Sequence, residues 1–392
     1  MPICLLPSPP SLFRKVPPPV TAPGSEGSNA LQIFDCAELN PVDHKFVTLD
    51  KIDGLRIDWH RFSGLPKNAI EQSFTRPRLS RYRAALSCAA RAAACGDILI
   101  SHLPSMSGAL EATRKLGLRL PPHLAFAFNF SELPVGKRRR YLQQSFTGID
   151  QFCVYSDYEV GRYSSFFDLP QSRFKATLWT QRPPPASSIP KSRRSRPLVA
   201  AIGNEGRDFP AIIAIARKLP KIDFLIIARP SGLLGDVSNN VEVKFNVPYD
   251  ETWGLARQAD AILVPLLSET TCCGQITIVS AQQLGIPTIT TESHGTREYT
   301  DAWESTCVVQ PGDVNEMVWA IEKVVDQQEK FTVAATREST RAIRKYDRSL
   351  WREYVGDFIR LHCRDKLSLK FKSRAPSRRA TAEPGHAVAA KV

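Results

Sequence analysis

Residues 259–291 read ADAILVPLLSETTCCGQITIVSAQQLGIPTITT. The short apolar run at residues 261–265 predicts a buried strand. A helix is predicted at residues 277–284, and it ends at a C-cap glycine, Gly285, with Pro287 close behind. Residues 288–291 predict the next strand. A strand, a polar loop, a helix and a second strand, in that order, predict one βαβ unit of a parallel sheet.

The same alternation extends in both directions from this unit. In the C-terminal half, strands are predicted at residues 198–202, 224–228, 241–245, 261–265, 288–291 and 307–310, and helices at residues 209–219, 251–258, 277–284 and 315–326. In the N-terminal half, strands are predicted at residues 97–101, 124–128, 151–155 and 174–179, and helices at residues 84–94 and 108–116. Strands that alternate with helices favour right-handed crossovers and parallel sheets. We therefore predict an α/β protein with two Rossmann-like domains that face each other across a cleft.

A stretch that cannot contribute to a core separates the two halves. Residues 180–197 read TQRPPPASSIPKSRRSRP, a proline-rich, basic composition that is typical of an interdomain linker. Residues 1–30 are rich in proline, glycine and serine, and residues 365–392 are rich in basic and small residues. These compositions predict a disordered tail at each end.

The chain of 392 residues has a net charge of +13. A nucleic acid, an anionic membrane surface and an anionic small substrate would each suit such a charge. Basic residues cluster at residues 137–140, 191–196 and 366–379. No nucleic-acid-binding motif accompanies them, so we expect no nucleic acid partner. A solvated surface and an anionic membrane surface remain as explanations.

Nine cysteines are scattered along the sequence without a C-x-x-C motif. This pattern predicts free thiols, and we expect neither a metal site nor a cofactor. No apolar stretch has the length of a spanning helix. The N-terminal residues lack the charge and the apolar core of a signal peptide, so the sequence predicts a cytoplasmic location.

Three polar, glycine-containing loops follow predicted strands, and ligands of open α/β sheets bind at such strand ends. The first loop, GNEGRDFP at residues 203–210, allows a tight turn at Gly203. In this loop Arg207 could pair with a diphosphate beside the N-terminus of the next helix.

The second loop, SETTCCGQIT at residues 268–277, contains Gly274, where a ligand can approach the backbone. Gln275 and Thr277 supply hydrogen-bonding groups in the same loop. The third loop, ESHGTREY, carries Gly295 and Arg297. Because all three loops are predicted at one edge of one sheet, together they indicate a binding site.

The order of these segments resembles the group 1, or family 4, glycosyltransferases, which are retaining enzymes with the GT-B fold. The resemblance covers about residues 156–326. Residues 259–266, ADAILVPL, resemble the family's A-D-hydrophobic-P strand, and residues 274–289, GQITIVSAQQLGIPTI, resemble its G-x-x-x-x-E-A-M-A-x-G-x-P-V-I signature. Residues 295–299, GTREY, are similar to its G-G-x-x-E turn.

The resemblance also implies the domain boundaries. Residues 351–361 match the terminal helix that packs back on the first domain in this family. The implied division is a tail at 1–30, an N-terminal acceptor domain at 31–180, a linker at 181–197, a C-terminal donor domain at 198–347, the returning helix at 348–364 and a basic tail at 365–392.

Carried over by position, the resemblance assigns the donor diphosphate to Gly203, Arg207, Gly274 and Gln275. It assigns the donor sugar or nucleotide to Cys272, Thr277, Ser280, Gly295 and Arg297. Cys272 and Ser280 each replace a glutamate of the family. Glu269 is the nearest carboxylate that could compensate for these replacements. Asn129 corresponds best to a first-domain histidine of the family, with His102 and His123 as other candidates, so Asn129 and Glu269 are the predicted catalytic residues.

The resemblance implies an enzyme that moves a hexose from a nucleotide diphosphate sugar to a lipid-linked or polysaccharide acceptor. Exopolysaccharide or cell-surface glycan synthesis is the implied pathway, without a metal, at the inner face of the membrane. Anionic lipids would be drawn to residues 137–140. Two alternatives remain open: a degenerate GT-B protein that binds a nucleotide or a partner without catalysis, and a relative of the sugar-nucleotide epimerases or phosphorylases.

Overall fold

A computed structural model describes residues 30–39, 45–74, 78–185, 194–230 and 236–373. The predicted N-terminal tail up to residue 29 lies outside the described residues. So do residues 186–193, which contain part of the predicted linker, and residues 374–392 of the predicted basic tail.

The N-terminal domain is built around a seven-stranded sheet in the order β2-β3-β1-β4-β5-β6-β7. Its strands are β1 (Ala30–Ala37), β2 (Lys51–Ile52), β3 (Leu55–Ser63), β4 (Ile98–His102), β5 (His123–Phe126), β6 (Gln151–Val154) and β7 (Phe174–Ala176). Its helices are α1 (Ala69–Ser73), α2 (Leu79–Cys95), α3 (Pro104–Ala112), α4 (Gly136–Phe146) and α5 (Asp157–Phe167). All pairs are parallel except β2 with β3, which form a hairpin.

The C-terminal domain contains a six-stranded, fully parallel sheet in the order β10-β9-β8-β11-β12-β13. Its strands are β8 (Leu198–Ile202), β9 (Asp223–Ala228), β10 (Val241–Phe245), β11 (Ala261–Val264), β12 (Thr288–Thr291) and β13 (Thr306–Val309). Its helices are α6 (Phe209–Lys218), α7 (Tyr249–Ala256), α8 (Gln275–Leu284), α9 (Arg297–Thr300), α10 (Val314–Asp326) and α11 (Gln328–Lys345). This is the strand order of a dinucleotide-binding Rossmann sheet. Successive strands are added towards one edge from β8 to β10 and towards the other edge from β11 to β13, so the order reverses between β8 and β11.

The last two helices of the described chain are α12 (Ser349–His362) and α13 (Arg364–Ser373). Helix α12 packs on the N-terminal domain, where the indole Nε1 of Trp351 donates a hydrogen bond to the carbonyl of Leu178 at 2.8 Å. Helix α13 differs from the prediction of a disordered tail from residue 365. It is anchored because Leu367 is buried and Lys366 forms an ion pair with Asp97.

An apolar cluster runs without interruption from one domain into the other. Trp351 of α12 packs edge-to-face against Phe126 and Trp179, with ring centroids 5.2 and 5.1 Å apart. The hydroxyl of Tyr299, from the C-terminal domain, accepts a hydrogen bond from the backbone N–H of Trp179 and donates one to the carbonyl of Tyr155. The two sheets are therefore held together by a shared core, with their strand ends facing each other.

Candidate functional site

A cavity of about 680 Å³ lies between the two domains, at the carboxyl ends of the strands of both sheets. This volume is in the range of small-molecule binding sites. From the C-terminal domain it is lined by residues 202–205 and 207, 227–229, 246–249, 252–253 and 272–277; from the N-terminal domain and the connection, by residues 38–39, 78, 103, 129, 131, 155 and 179. Its C-terminal half includes the point where the strand order reverses, which is where open α/β sheets bind ligands.

Arg207 is held at this point by the backbone and by one side chain. Its Nη2 donates to Thr277 Oγ1 at 3.1 Å and to the carbonyl of Ile202 at 3.3 Å. Its Nη1 donates to the carbonyl of Glu205 at 3.1 Å. Only 8% of the residue is exposed, so a cation is fixed in the wall of the cavity.

One glycine, Gly203, makes room for this guanidinium group, and a second, Gly274, lies next to it. A Cβ atom on Gly203 would lie 2.9 Å from Arg207 Nη2, which no real Cβ contact tolerates. A Cβ atom on Gly274 would lie 3.7 Å from Arg207 Nη1. Both glycines also have φ values, 111° and 101°, that side chains disfavour. The loops after β8 and β11 thus leave an open space beside Arg207.

The N-terminus of α8 borders the same space. Gly274 is the N-cap residue of this ten-residue helix, and Gln275, Ile276 and Thr277 of its first turn also line the cavity. The first N–H groups of a helix lack partners within the helix and carry partial positive charge. Together with Arg207 they form a site suited to a diphosphate.

A second part of the cavity wall follows β9 and β10, where no site residue was predicted. Arg229 follows β9, whereas Asn246 and Tyr249 follow β10. Thr252 and Trp253 of α7 complete this wall. Both strands were predicted, so the rule that ligands bind after parallel strands was the signal that could have identified these residues.

The N-terminal domain meets the second loop of the C-terminal domain at Asn129. Its Nδ2 donates to the carbonyl of Cys272 at 3.0 Å and to Glu159 Oε1 at 2.9 Å. Arg162 of α5 donates to the carbonyl of Thr270 and to Cys272 Sγ. Burial raises the pKa of the Cys272 thiol far above its usual range, so it stays protonated.

The structure therefore brings seven of the eleven predicted site residues to one cavity. These are Asn129, Gly203, Arg207, Cys272, Gly274, Gln275 and Thr277. Their assigned roles remain predictions.

Four predicted residues do not line the cavity. Ser280 is fully buried on the far side of α8, where its hydroxyl accepts a hydrogen bond from Gln181 Nε2 at 2.6 Å. Gly295 packs against the backbone of Cys272, and its carbonyl accepts from Gln275 Nε2. Arg297 and Glu269 are exposed, and they pair with Glu292 and His294 respectively. Gly295 thus supports the Cys272 loop from behind.

The two alternative histidines belong to the interior of the N-terminal domain. His102 Nε2 lies 3.1 Å from Asp35 Oδ1, and burial lowers the pKa of His102 to about 3. His123 lies between Glu111 and Ser101 with no exposed surface. Neither lines the cavity.

Among the described residues, no three His, Cys, Asp or Glu side chains converge as metal ligands would. None of the helices in the described ranges combines the length and the apolar character needed to cross a membrane.

Comparisons with known proteins agree with this architecture. Residues 235–344 match the sequence model of the family described as Glycosyl transferases group 1. No curated protein matches the chain. The chain thus carries the pattern of this family within the C-terminal domain.

Solved structures with the same fold include several glycosyltransferases. Sucrose-phosphate synthase from Thermosynechococcus elongatus is similar with a TM-score of 0.60 and 12% identity, over 83% of this chain and 88% of that one. HepE from Anabaena, in complex with UDP-glucose, has a TM-score of 0.58 and 10% identity, over 78% and 86%. The lipopolysaccharide outer core galactosyltransferase WaaB has a TM-score of 0.56 and 13% identity, over 85% and 100%.

The predicted GT-B fold is therefore confirmed: this is a two-domain GT-B protein with a glycosyl transferases group 1 match in its second domain.

Proposed function

We propose that the protein transfers a hexose from a nucleotide diphosphate sugar to an acceptor hydroxyl. The observation that carries this proposal is the position of Arg207, fixed in the cavity wall beside Gly203, Gly274 and the N-terminus of α8. A diphosphate placed there would accept hydrogen bonds from the guanidinium group and from backbone N–H groups.

The same groups would stabilise the leaving nucleotide diphosphate as its negative charge develops. Because Arg207 and the helix N-terminus together supply positive charge at this point, we propose transfer without a metal ion. The second domain would bind the donor, and the loops of the first domain would orient the acceptor hydroxyl against the sugar. A retaining outcome is proposed from the family resemblance.

A UDP-hexose donor is our first choice. HepE, which shares the fold, was solved with UDP-glucose, and WaaB is described as a galactosyltransferase. The acceptor we propose is a lipid-linked or polysaccharide glycan of the cell surface, including exopolysaccharides.

One observation favours a second candidate, a GT-B protein that binds a nucleotide without catalysis. The two positions where the family has glutamates hold Cys272 and Ser280. Ser280 is bonded to Gln181 outside the cavity, and Cys272 offers a protonated thiol in place of a carboxylate. Nucleotide binding without hydrolysis or transfer of any bound donor would support this second candidate.

The proposal is tested by calorimetric titration with UDP and GDP, followed by incubation with the matching nucleotide sugars. Binding of one nucleotide in the micromolar range, with release of that nucleotide from its sugar, is the expected result. If neither nucleotide binds, the proposed function is wrong.

We also propose that the enzyme works at an anionic membrane surface. Residues 137–140 of α4 are exposed and basic, and Val135 just before this helix is 80% exposed. Tyr141 of α4 interacts with Tyr82 of α2, whose exposed side also carries Leu79 and Leu86. Basic side chains next to exposed apolar ones are typical of surfaces that bind to the membrane interface.

Replacing Lys137, Arg138, Arg139 and Arg140 together by glutamine is expected to weaken binding to vesicles with anionic lipids. About 1 kcal/mol of attraction is lost for each charge near the surface, so cosedimentation with vesicles should fall by at least tenfold. A matched variant replaces four exposed basic residues of the other domain: Arg217, Lys218, Lys221 and Lys330. Equal binding by the α4 variant and the wild type would contradict the membrane proposal.

A further inference from the structure

Glu159, on the first turn of α5, is completely buried close to the cavity. Its Oε2 accepts hydrogen bonds from the backbone N–H of Tyr155 at 3.0 Å and from Ser156 Oγ at 3.1 Å. Ser156 in turn caps α5 by accepting from the N–H of Glu159. This half of the carboxylate holds the start of α5 as in a capping box, except that the backbone N–H it accepts from belongs to Tyr155, the residue before the N-cap Ser156, and this role is structural.

The other carboxylate oxygen points away from the cap. Glu159 Oε1 accepts from Tyr163 Oη at 2.9 Å and from Asn129 Nδ2 at 2.9 Å. These two hydrogen bonds to Oε1 play no part in capping α5. Four donors thus converge on the two oxygens, an arrangement that matches an acceptor-only, ionised carboxylate.

The bond to Glu159 fixes the orientation of the Asn129 amide. Its two partners, Glu159 Oε1 and the carbonyl of Cys272, both act as acceptors, so the group facing them is the NH₂ group. Among the described residues, Asn129 Oδ1 has no hydrogen-bond partner, and Asn129 lines the cavity. The side-chain oxygen is therefore the atom that Asn129 offers to a ligand, and it accepts hydrogen bonds only.

The location of this acceptor suggests what it binds. Cys272, which Asn129 contacts, precedes Gly274 and the diphosphate-type site by two residues. A group attached to a diphosphate there would lie in the cavity that Asn129 and Arg207 both line. In a nucleotide sugar that group is the sugar, which carries hydroxyl donors.

We infer that Glu159 is a positioning residue, which holds Asn129 so that its side-chain oxygen accepts a hydroxyl of the donor sugar. This inference rests on the proposed function. A glutamine at position 159 has one acceptor oxygen for the four donors. The Asn129 amide would then rely on the carbonyl of Cys272 as its acceptor, and its orientation would be held less firmly.

The ionisation of Glu159 gives this role a pH dependence. Burial raises the pKa of Glu159 to about 7, although its hydrogen bonds from Tyr163, Tyr155, Ser156 and Asn129 act in the opposite direction. The other titratable groups around it are Cys153, Cys272, Tyr163, Tyr155 and Tyr299, all of which burial keeps protonated, and Arg162 lies beyond Cys272. Glu159 is therefore the group among them that changes charge near neutral pH. When it is protonated, one oxygen becomes a donor and the acceptors for Asn129 and its other partners no longer suffice.

The test compares a bare nucleotide with its nucleotide sugar by calorimetry: UDP with UDP-glucose, and GDP with GDP-mannose. At pH 8 the wild type is expected to bind the sugar nucleotide about three- to tenfold more tightly than the bare nucleotide, because one further hydrogen bond forms. The terminal phosphate of a free nucleoside diphosphate itself titrates at about pH 6, so the gain at each pH is taken relative to that of Asn129→Ala. Measured in this way, the gain should fall as the pH drops from 8 to 6. Glu159→Gln should lose both the gain and its pH dependence, while its affinity for the bare nucleotide stays within about twofold of the wild type.

Two variants separate positioning from stability. Tyr163→Phe removes a hydrogen bond to the same oxygen, and also the acceptor for the backbone N–H of Phe130. It keeps both acceptors of the Asn129 amide, so the sugar-dependent gain should remain. Asn129→Ala should lose the gain, and adding Glu159→Gln to it should cause no further loss. Asn129→Ala also serves as the test if Glu159→Gln fails to fold.

The outcomes distinguish the inference from the function on which it rests. If neither nucleotide binds to the wild type, the proposed function fails and the inference fails with it. If a nucleotide binds but no sugar adds affinity, or if Glu159→Gln keeps the gain and its pH dependence, only the inference is overturned.

Discussion

Arg207→Ala is expected to weaken nucleotide diphosphate binding by about 30-fold or more. Charge-assisted hydrogen bonds contribute about 1.5–3 kcal/mol each, and each 1.4 kcal/mol corresponds to a tenfold change in affinity. The guanidinium group is fixed by Thr277 and two backbone carbonyls, so it is already oriented before a ligand arrives. Calorimetric titration of wild type and variant with the same nucleotide measures the difference.

Arg217→Ala is the matched control, because this arginine lies on α6 of the same domain and is exposed to solvent. It should bind the nucleotide as the wild type does. Arg207→Lys keeps the charge but loses the planar fork, so an intermediate affinity is expected. Wild-type affinity in Arg207→Ala, with an unchanged thermal midpoint, would show that the diphosphate binds elsewhere.

Trp351→Ala is expected to lower the free energy of unfolding by about 3–5 kcal/mol, the usual loss when a large buried aromatic residue is truncated. Trp351 is only 3% exposed and has Phe46, Phe126, Tyr155 and Trp179 as aromatic neighbours. The variant also leaves the carbonyl of Leu178 without the hydrogen bond that the indole donates. Urea titration followed by circular dichroism gives the difference in unfolding free energy.

Trp319→Ala provides the comparison, since this tryptophan of α10 is 56% exposed. Its loss should change the unfolding free energy by no more than about 0.5 kcal/mol, as is usual at the surface. If Trp351→Ala lowered the unfolding free energy no more than Trp319→Ala does, the packing of α12 on the first domain would contribute little to stability.

The parts of the fold that followed from the sequence are those where local pattern and burial agree. Each predicted strand of the C-terminal half coincides with an observed strand to within about two residues. Strands such as β8 are fully buried and are therefore continuous apolar runs, whereas the edge strand β10 is half-buried or exposed and alternates apolar with charged residues. In the N-terminal half, β1 and β3 were not predicted. Asp35 interrupts the apolar run of β1, and β3 is mostly half-buried with several charged residues.

The site was predictable where a loop had an unusual composition. Gly203, Arg207 and Gly274 stood out because glycines and a cation between a strand and a helix suit an anion. Asn246 and Tyr249 have no such composition, and only their position after β10 places them at the cavity. Ser280 was assigned because it takes the place of a glutamate of the family, but its hydroxyl accepts a hydrogen bond from Gln181, on the connection between the domains. Glu159 could not be predicted, because its partner Asn129 is thirty residues away and is brought to it only by the sheet.

The chain leaves the N-terminal domain after Trp179 and returns to it just before α12. These two crossings lie side by side, since the backbone N–H of Gln181 donates to the carbonyl of Tyr346 at 3.1 Å. Two adjacent connections between domains favour rotation of the domains about one hinge axis over rotation in any direction. Displacement in a rotation grows with distance from its axis. Trp179 lines the cavity and is two residues from Gln181, so it would move little if the domains rotated about these crossings.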